Sequence, residues 1–544
     1  MNEQGERQRW DGRWNIPCLD TPYRQYVLGM IDEIFARYPV DELFLDIFGI
    51  QFVAYEGSGR NPFCFCKYTE EAWNREHPGD PYRAGFSTRE DWVRRYRWHQ
   101  QRSMVDMLDE IIGTARKDRP NALIALNAGP EVFPDAVQQR VSFLYAEPLL
   151  SPTGIALGTI LLRGWNRSDF QAGIWNWYPY VDQNPGSLAR VRTVALLLQN
   201  ARTFFIGETP FVSGLDDGQG YSESWFRTAK GAWDDARNVD CLLEGVEPVL
   251  SSAVFYCQST QSELEAQKRP TDFRHSVLGA LELLTYTGQP VESLPEFRLT
   301  PDLPSRFDTL VLPEVEVLSD RHVEVIRGWV EKGGTLIASG KCGFLDARRR
   351  ARPNFALADV FGVDCVSEVR EYAYNAEGKL REKFISTYPE SAGHPLAPPL
   401  GKDPVGLPGT FLLLKNREAQ EVMCYLLSYM VQDLKHYKWY NWSSPPPGPE
   451  TAGPGVTYHE FGKGQALYLG VPLFRALNDW PEYISSFQYR GPYWIHDWVP
   501  GLVRRLTPNP LLELRTEPSS EYIHGTFWGT GASVLSSCRF SIQS

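Results

Sequence analysis

Between residues 23 and 206, short apolar runs alternate with longer stretches whose apolar residues recur every three to four positions. The first long stretch opens at Asp20-Thr21-Pro22, carries Tyr26, Val27, Met30, Ile31, Ile34 and Phe35 at helical spacing, and stops at Tyr38-Pro39. The run VDELFLDIF then reads as a strand, a long helix is expected over about residues 89 to 117, and Ala122 to Leu126 reads as the next strand. Val141 to Ala146, Ala172 to Trp175, a helix over Leu188 to Gln199, and Thr203 to Ile206 continue the series. Such alternation predicts parallel strands joined by crossover helices. A closed barrel of this class takes eight strands and about 250 residues. With five strands legible and a helix first, the expectation is an incomplete (β/α)8 barrel, strands four to eight, over residues 1–246.

A second alternation begins near residue 248. SSAVFYCQ, FDTLVLPEVEVL and GGTLIASG read as strands, FRHSVLGALELLTYTG and DRHVEVIRGWVEKG as helices, and Gly464 to Val471 as a last strand. This predicts a small doubly wound domain over 247–507. The Pro/Gly-rich stretch YNWSSPPPGPETAGPG, residues 440–455, reads as a loop or linker. After Pro508, LLELRTEP and YIHGTFW start like a β-domain, but WGTGASVLSSCRFSIQS has no strand alternation, so 508–544 is expected to be a truncated β segment.

A formal charge of −12 argues against a nucleic-acid partner, because phosphate binding needs a concentrated basic surface. Nine scattered cysteines do not make a secreted disulfide framework and fit a reducing cytoplasm. MNEQGERQRWDGRW has no apolar leader core, and no later segment approaches 18 uninterrupted apolar residues, so no membrane partner is expected. Aromatic residues make up 13% of the chain, a bias that suits stacking on sugar rings.

Asp46 stands at the end of the first strand between Leu45 and Ile47. A carboxylate in an apolar run is costly unless paired or used, so it is either a capping acid or a reacting group. RWNIPCLDTPYRQYVLGMIDEIFARYPVDELFLDIF, followed by NPFCFCKYTEEAW, resembles the region around the fourth barrel strand of bacterial glycoside hydrolases related to α-L-fucosidases. FDTLVLPEVEVLSDRHVEVIRGWVEKGGTLIASG resembles the glutamine-amidotransferase-like domain, called the trimerisation domain in family 42 β-galactosidases, that follows such barrels. The resemblance spans residues 7 to about 475 and implies a glycosidase without cofactor, acting on oligosaccharides or glycosides as a homo-oligomer.

It also implies that Asp46 is the nucleophile. A retaining glycosidase pairs an ionised carboxylate with a protonated carboxyl about 5–5.5 Å away. Glu147 in SFLYAEPLL, ending the next strand but one, is the expected acid/base, with Glu208 in FFIGETP in reserve. Trp175, Asn176, Trp177 and Tyr178 of WNWYPY are candidates for a sugar subsite, and Asn127 in ALNAG for a hydroxyl contact or simply a turn. A β-galactosidase-like enzyme, the alternative, would carry a glutamate on the seventh barrel strand, where this chain has WNWYPY. A catalytically inactive carbohydrate-binding or scaffold protein is the other alternative. Cys64 and Cys66 resemble a cysteine-rich loop of the same family, but two thiols fall short of the four ligands of a tetrahedral zinc site, so no metal is expected. Cys342 in ASGKCGF lacks the glycine spacing of a nucleophile elbow, and the second domain is read as structural.

Overall fold

The computed structural model describes residues 1–10, 14–15, 17–46, 48, 63–127, 135–146, 152–165, 173–177, 193–197, 199, 202–206, 230–238, 247–267, 269–286, 290–302, 307–369, 373–374, 380–381, 385–398, 406–408, 411–428, 447–476, 493–506, 520–529 and 532–541. They form two compact units, Met1–Gly245 with Gln261–Pro270, and Val246–Thr260 with Thr271–Ser544.

In the first unit the strands β1 (Glu42–Leu45), β2 (Leu123–Asn127), β3 (Phe143–Ala146), β4 (Gly173–Trp177) and β5 (Arg202–Ile206) form one sheet in sequential order. Every neighbouring pair is parallel, as the alternation predicts. Helices α1 (Tyr23–Arg37), α2 (Lys67–Glu76), α3 (Arg89–Gln100), α4 (Met107–Asp118) and α5 (Pro152–Arg163) lie between strands or before them. The long helix expected over 89–117 is interrupted by a π segment at Gln101–Asp106, where the widened turn shifts the buried face between α3 and α4. α1 also differs from its reading. Ile31 and Phe35 are buried, but Tyr26 and Met30 are 64% and 45% exposed, so its apolar stripe is broader than the face it buries. Asp20 does not cap α1; its carboxylate accepts from Thr69 and Arg102 instead.

Much of the aromatic content is core. Phe63, Phe65, Trp73, Tyr82 and Tyr96 form a buried cluster against which Phe86, Trp92 and Trp98 pack. Arg95 is fully buried among them, its guanidinium 4.4 Å from the Trp73 ring centroid and its Nη2 2.9 Å from Asp80 Oδ1. Tyr96 also hydrogen-bonds Glu265. Burial pushes the Glu265 carboxyl from its ordinary 4.5 up to about 7, against the pull of its bonds to Gln261 and Tyr96. The folded chain therefore keeps a proton that the unfolded chain loses above about pH 4.5, and stability falls as pH rises through 7, by roughly 3 kcal/mol in total. Glu265→Gln is expected to remove that slope and to be more stable than wild type at pH 8, measured by urea unfolding at pH 5 and pH 8. Parallel pH profiles for the two proteins would show the carboxyl to be ionised in the fold.

The second unit builds a nine-stranded sheet. β6 (Ser252–Tyr256), β7 (Val291–Pro295), β8 (Thr309–Leu312), β9 (Thr335–Ser339), β10 (Ile385–Ser391), β11 (Leu407–Pro408), β12 (Gln420–Ser428), β13 (Pro447–Phe461) and β14 (Gly464–Leu469) lie in the order β7-β6-β8-β9-β14-β13-β12-β10-β11. The first five in that order are mutually parallel and the remainder antiparallel. The strands at β6, β8, β9 and β14 and the helices at Pro270–Tyr286 and Asp320–Glu331 stand where the sequence puts them. β7, with proline at its end and no alternation in VESLP, carries no signal of its own.

Two expectations fail. The stretch read as a linker over 440–455 is a strand from Pro447 onward, with repeated register shifts against β12. Bulges let prolines sit in a ladder without the N–H they lack. Gly455 is required there, since a Cβ would lie 2.3 Å from the Tyr425 ring whose hydroxyl donates to Gly455 O. The tail read as irregular also pairs, β15 (Ser520–Gly529) against β16 (Ala532–Ser541), because backbone pairing does not require side-chain alternation. No helix among the described residues is long and apolar enough to cross a membrane.

Candidate functional site

Asp46, Asn127, Trp175, Asn176 and Trp177 lie at or next to the C-terminal ends of their strands in the five-stranded parallel sheet. Leu45 of β1 lies opposite Leu126 of β2, so the next residues, Asp46 and Asn127, meet at the rim. Asn127 Nδ2 donates to Asp46 Oδ1 at 2.7 Å. The register continues from Asn127 to Tyr145 on β3, to Gly173 on β4 and to Arg202 on β5. Trp175, Asn176 and Trp177 are the last three residues of β4.

β1 ends at Leu45, so Asp46 is past the ladder and exposed rather than buried in an apolar strand. The cost that made the residue conspicuous is therefore not incurred, and its carboxylate is open to solvent and to a ligand. Among the described residues no arginine or lysine forms an ion pair with it. Asn127, expected as a hydroxyl contact or a turn residue, directs its amide at Asp46. The amide orients one oxygen of the carboxylate. Glu147, Tyr178 and Glu208 lie outside the described residues, as do the side chains of Trp175, Asn176 and Trp177.

In the second unit Cys342 is fully buried, and burial pushes its thiol far above the range of a nucleophile. The left-handed residue just after β8 is Glu314, with φ 51°, so that strand-to-loop turn carries a carboxylate and no thiol. Ser276 Oγ donates to it and Arg475 Nε lies 3.7 Å away.

Among the described residues, one group has the donors and closeness of a metal site. Sulfurs of Cys18, Cys64 and Cys66 lie within 4.8 Å of one another. The sequence offered only Cys64 and Cys66 as neighbours. Cys18 joins them from the segment before α1, a partnership concealed by the long stretch of chain between them. Three thiols suit a soft or borderline cation such as Zn²⁺.

No family model matches the chain, and no curated protein matches its sequence. Solved structures do. The β-galactosidase of Bacillus circulans sp. alkalophilus superposes with TM-score 0.67 at 13% identity, covering 98% of this chain and 84% of that one. A β-galactosidase from the Antarctic haloarchaeon Halorubrum lacusprofundi gives 0.66 at 14%, covering 96% and 80%. α-L-Fucosidase isoenzyme 2 from Paenibacillus thiaminolyticus gives 0.62 at 15%, covering 95% and 68%. At these identities what is shared is the α/β fold of those glycoside hydrolases.

Proposed function

We propose that this protein is a retaining glycoside hydrolase that releases a terminal sugar from oligosaccharides or simple glycosides, with Asp46 as nucleophile and Glu147 as acid/base. The observation that carries the reading is the exposed Asp46 carboxylate at a parallel-strand C-terminus, oriented by Asn127 of the neighbouring strand. Strand C-termini are where enzymes of this architecture collect catalytic groups from separate strands. In the same reading β1 to β5 correspond to strands four to eight of a barrel, the last residues of β4 stack on the sugar, and Glu208 contributes to the subsite. The second unit is then the amidotransferase-like, trimerisation-type domain, acting in assembly of a homo-oligomer without chemistry of its own.

Two sugars fit the reading. An aspartate nucleophile at this strand favours the α-L-fucosidase type, as does the absence of any acid in GIWNW of β4. The fold shared with two β-galactosidases favours a β-D-galactoside. L-Fucose is 6-deoxy-L-galactose, so the two substrates present related hydroxyl patterns of opposite ring series, and one panel separates them. Purified protein would be assayed on aryl α-L-fucosides, β-D-galactosides and other aryl glycosides, then inactivated with the 2-deoxy-2-fluoro glycosyl fluoride of the preferred sugar. The expected result is turnover of one series and a glycosyl ester on the peptide containing Asp46. Label on another carboxylate reassigns the nucleophile. Saturable sugar binding without turnover on any substrate would make the chain a binding protein.

A further inference from the structure

Resting on the glycosidase reading and deepening it, we propose that Asn127 is the positioning residue of the nucleophile: its amide selects the Asp46 rotamer that reacts, and it does so without bringing a charge or a competing proton. Parallel register brings the two residues together. Leu43, Phe44 and Leu45 of β1 pair with Ile124, Ala125 and Leu126 of β2, so Asp46 and Asn127 follow as the next pair along. Their faces match as well. Side chains alternate along a strand, so Asn127 belongs to the face of Leu123 and Ala125, and these two cluster with Phe44 of β1 and Phe143 of β3. Asp46 comes two residues after Phe44, and the amide meets its carboxylate there, Nδ2 donating to Oδ1 at 2.7 Å.

Donor and acceptor are held unequally. Asn127 is the last residue of β2 and is half-buried, whereas Asp46 stands past the end of β1 and is exposed. An exposed aspartate samples several staggered χ1 wells and a broad range of χ2, and only a narrow part of that range aims an oxygen at an anomeric carbon. A bond of charge-assisted length from a residue of the ladder passes the order of the strand to a group that the ladder itself does not hold. Keeping a reacting group in its productive geometry is where positioning residues act on rate, and a misplacement of about 1 Å can cost 100-fold. An amide suits this task better than the other donors. A lysine or arginine would place a full positive charge on the carboxylate that has to attack, and among the described residues none forms an ion pair with Asp46. A carboxyl at the same place would share a proton with it.

The test compares the full chain as wild type, Asn127→Ala and Asn127→Asp, measuring kcat and KM on the preferred aryl glycoside across pH, and the rate and site of labelling by the matching 2-deoxy-2-fluoro glycosyl fluoride. Asn127→Ala should lower kcat roughly 10- to 100-fold, slow labelling of Asp46 by a similar factor, and leave KM within about twofold. Asn127→Asp keeps the size of the side chain and replaces the donor with a second carboxyl. Two carboxyls at hydrogen-bond distance hold one proton between them, so the acid limb of its kcat profile should move up by at least about one pH unit, which the loss of a packing contact alone would not do. Wild-type kcat, labelling rate and pH profile in Asn127→Ala, with the label on Asp46, overturn the role of Asn127 and leave the nucleophile standing. A raised KM with kcat unchanged overturns it too, and makes Asn127 a sugar contact. Label on another carboxylate, or neither turnover nor label in wild type, overturns the nucleophile and its positioning residue together.

Discussion

Asp46→Asn is expected to lower turnover of the preferred aryl glycoside by at least about three orders of magnitude while leaving the unfolding midpoint within a degree or two of wild type. The amide has the size of the carboxylate but cannot form the glycosyl ester on which a retaining mechanism depends. Stability should hold because Asp46 is exposed and past the end of β1, so no ladder bond and no buried ion pair is lost. Its one described partner is the Asn127 amide, and the carboxamide introduced by the substitution still offers an acceptor oxygen to it. Asp46→Gly should be partly reactivated by azide, which attacks in place of the missing carboxylate and yields a glycosyl azide of inverted anomeric configuration. Turnover near the wild-type rate in Asp46→Asn would assign the residue to loop structure.

The largest expected effect on stability lies at Arg95. Its Nε donates to Tyr82 O at 2.9 Å and its Nη2 to Asp80 Oδ1 at 2.9 Å and Pro81 O at 3.1 Å, with the guanidinium stacked on Trp73. Arg95→Met fills similar space but strands two carbonyls and leaves Asp80 with Arg94 as its remaining cation. Losing three hydrogen bonds of a buried guanidinium, two of them from carbonyls that lose this donor, costs about 3–5 kcal/mol. For a unit of this size that is a loss of roughly 10 °C in Tm. Gly85→Ala should fall in the same direction, since a Cβ there would lie 1.8 Å from Arg95 Cζ. A drop of less than about 2 °C in Arg95→Met, followed by calorimetry or circular dichroism, would mean that the pair contributes little beyond its packing.

Where the chain speaks locally, its sequence is readable. Short apolar runs announce β1 to β5, β6, β8, β9 and β14, and β6, β8 and β9 are buried at every position, as strands of a covered parallel sheet are. Asp46 and Asn127 were legible as strand-end polar groups for the same reason: each directly follows or closes an apolar run. Strands without an apolar run were unreadable. β13 is built from PGPETAGPG, which signals a loop, and is held by backbone pairing to β12 through bulges. β16 lacks alternation and is held by its partner strand.

The sequence by itself therefore determined the order of the elements and the types of residue at the strand ends, since burial periodicity and short-range turn chemistry are local. Only the tertiary structure decided who meets whom. Asp46 pairs with Asn127 because parallel register aligns two strands 81 positions apart. Cys18 meets Cys66 across 48 positions, and Thr69 meets Asp20 across 49. Part of the aromatic richness that suggested sugar stacking goes instead, at Phe63, Phe65, Trp73, Tyr82 and Tyr96, to enclosing a buried arginine. Contacts of that range depend on how the elements pack, and packing is a property of all the faces at once, which no local window of sequence contains.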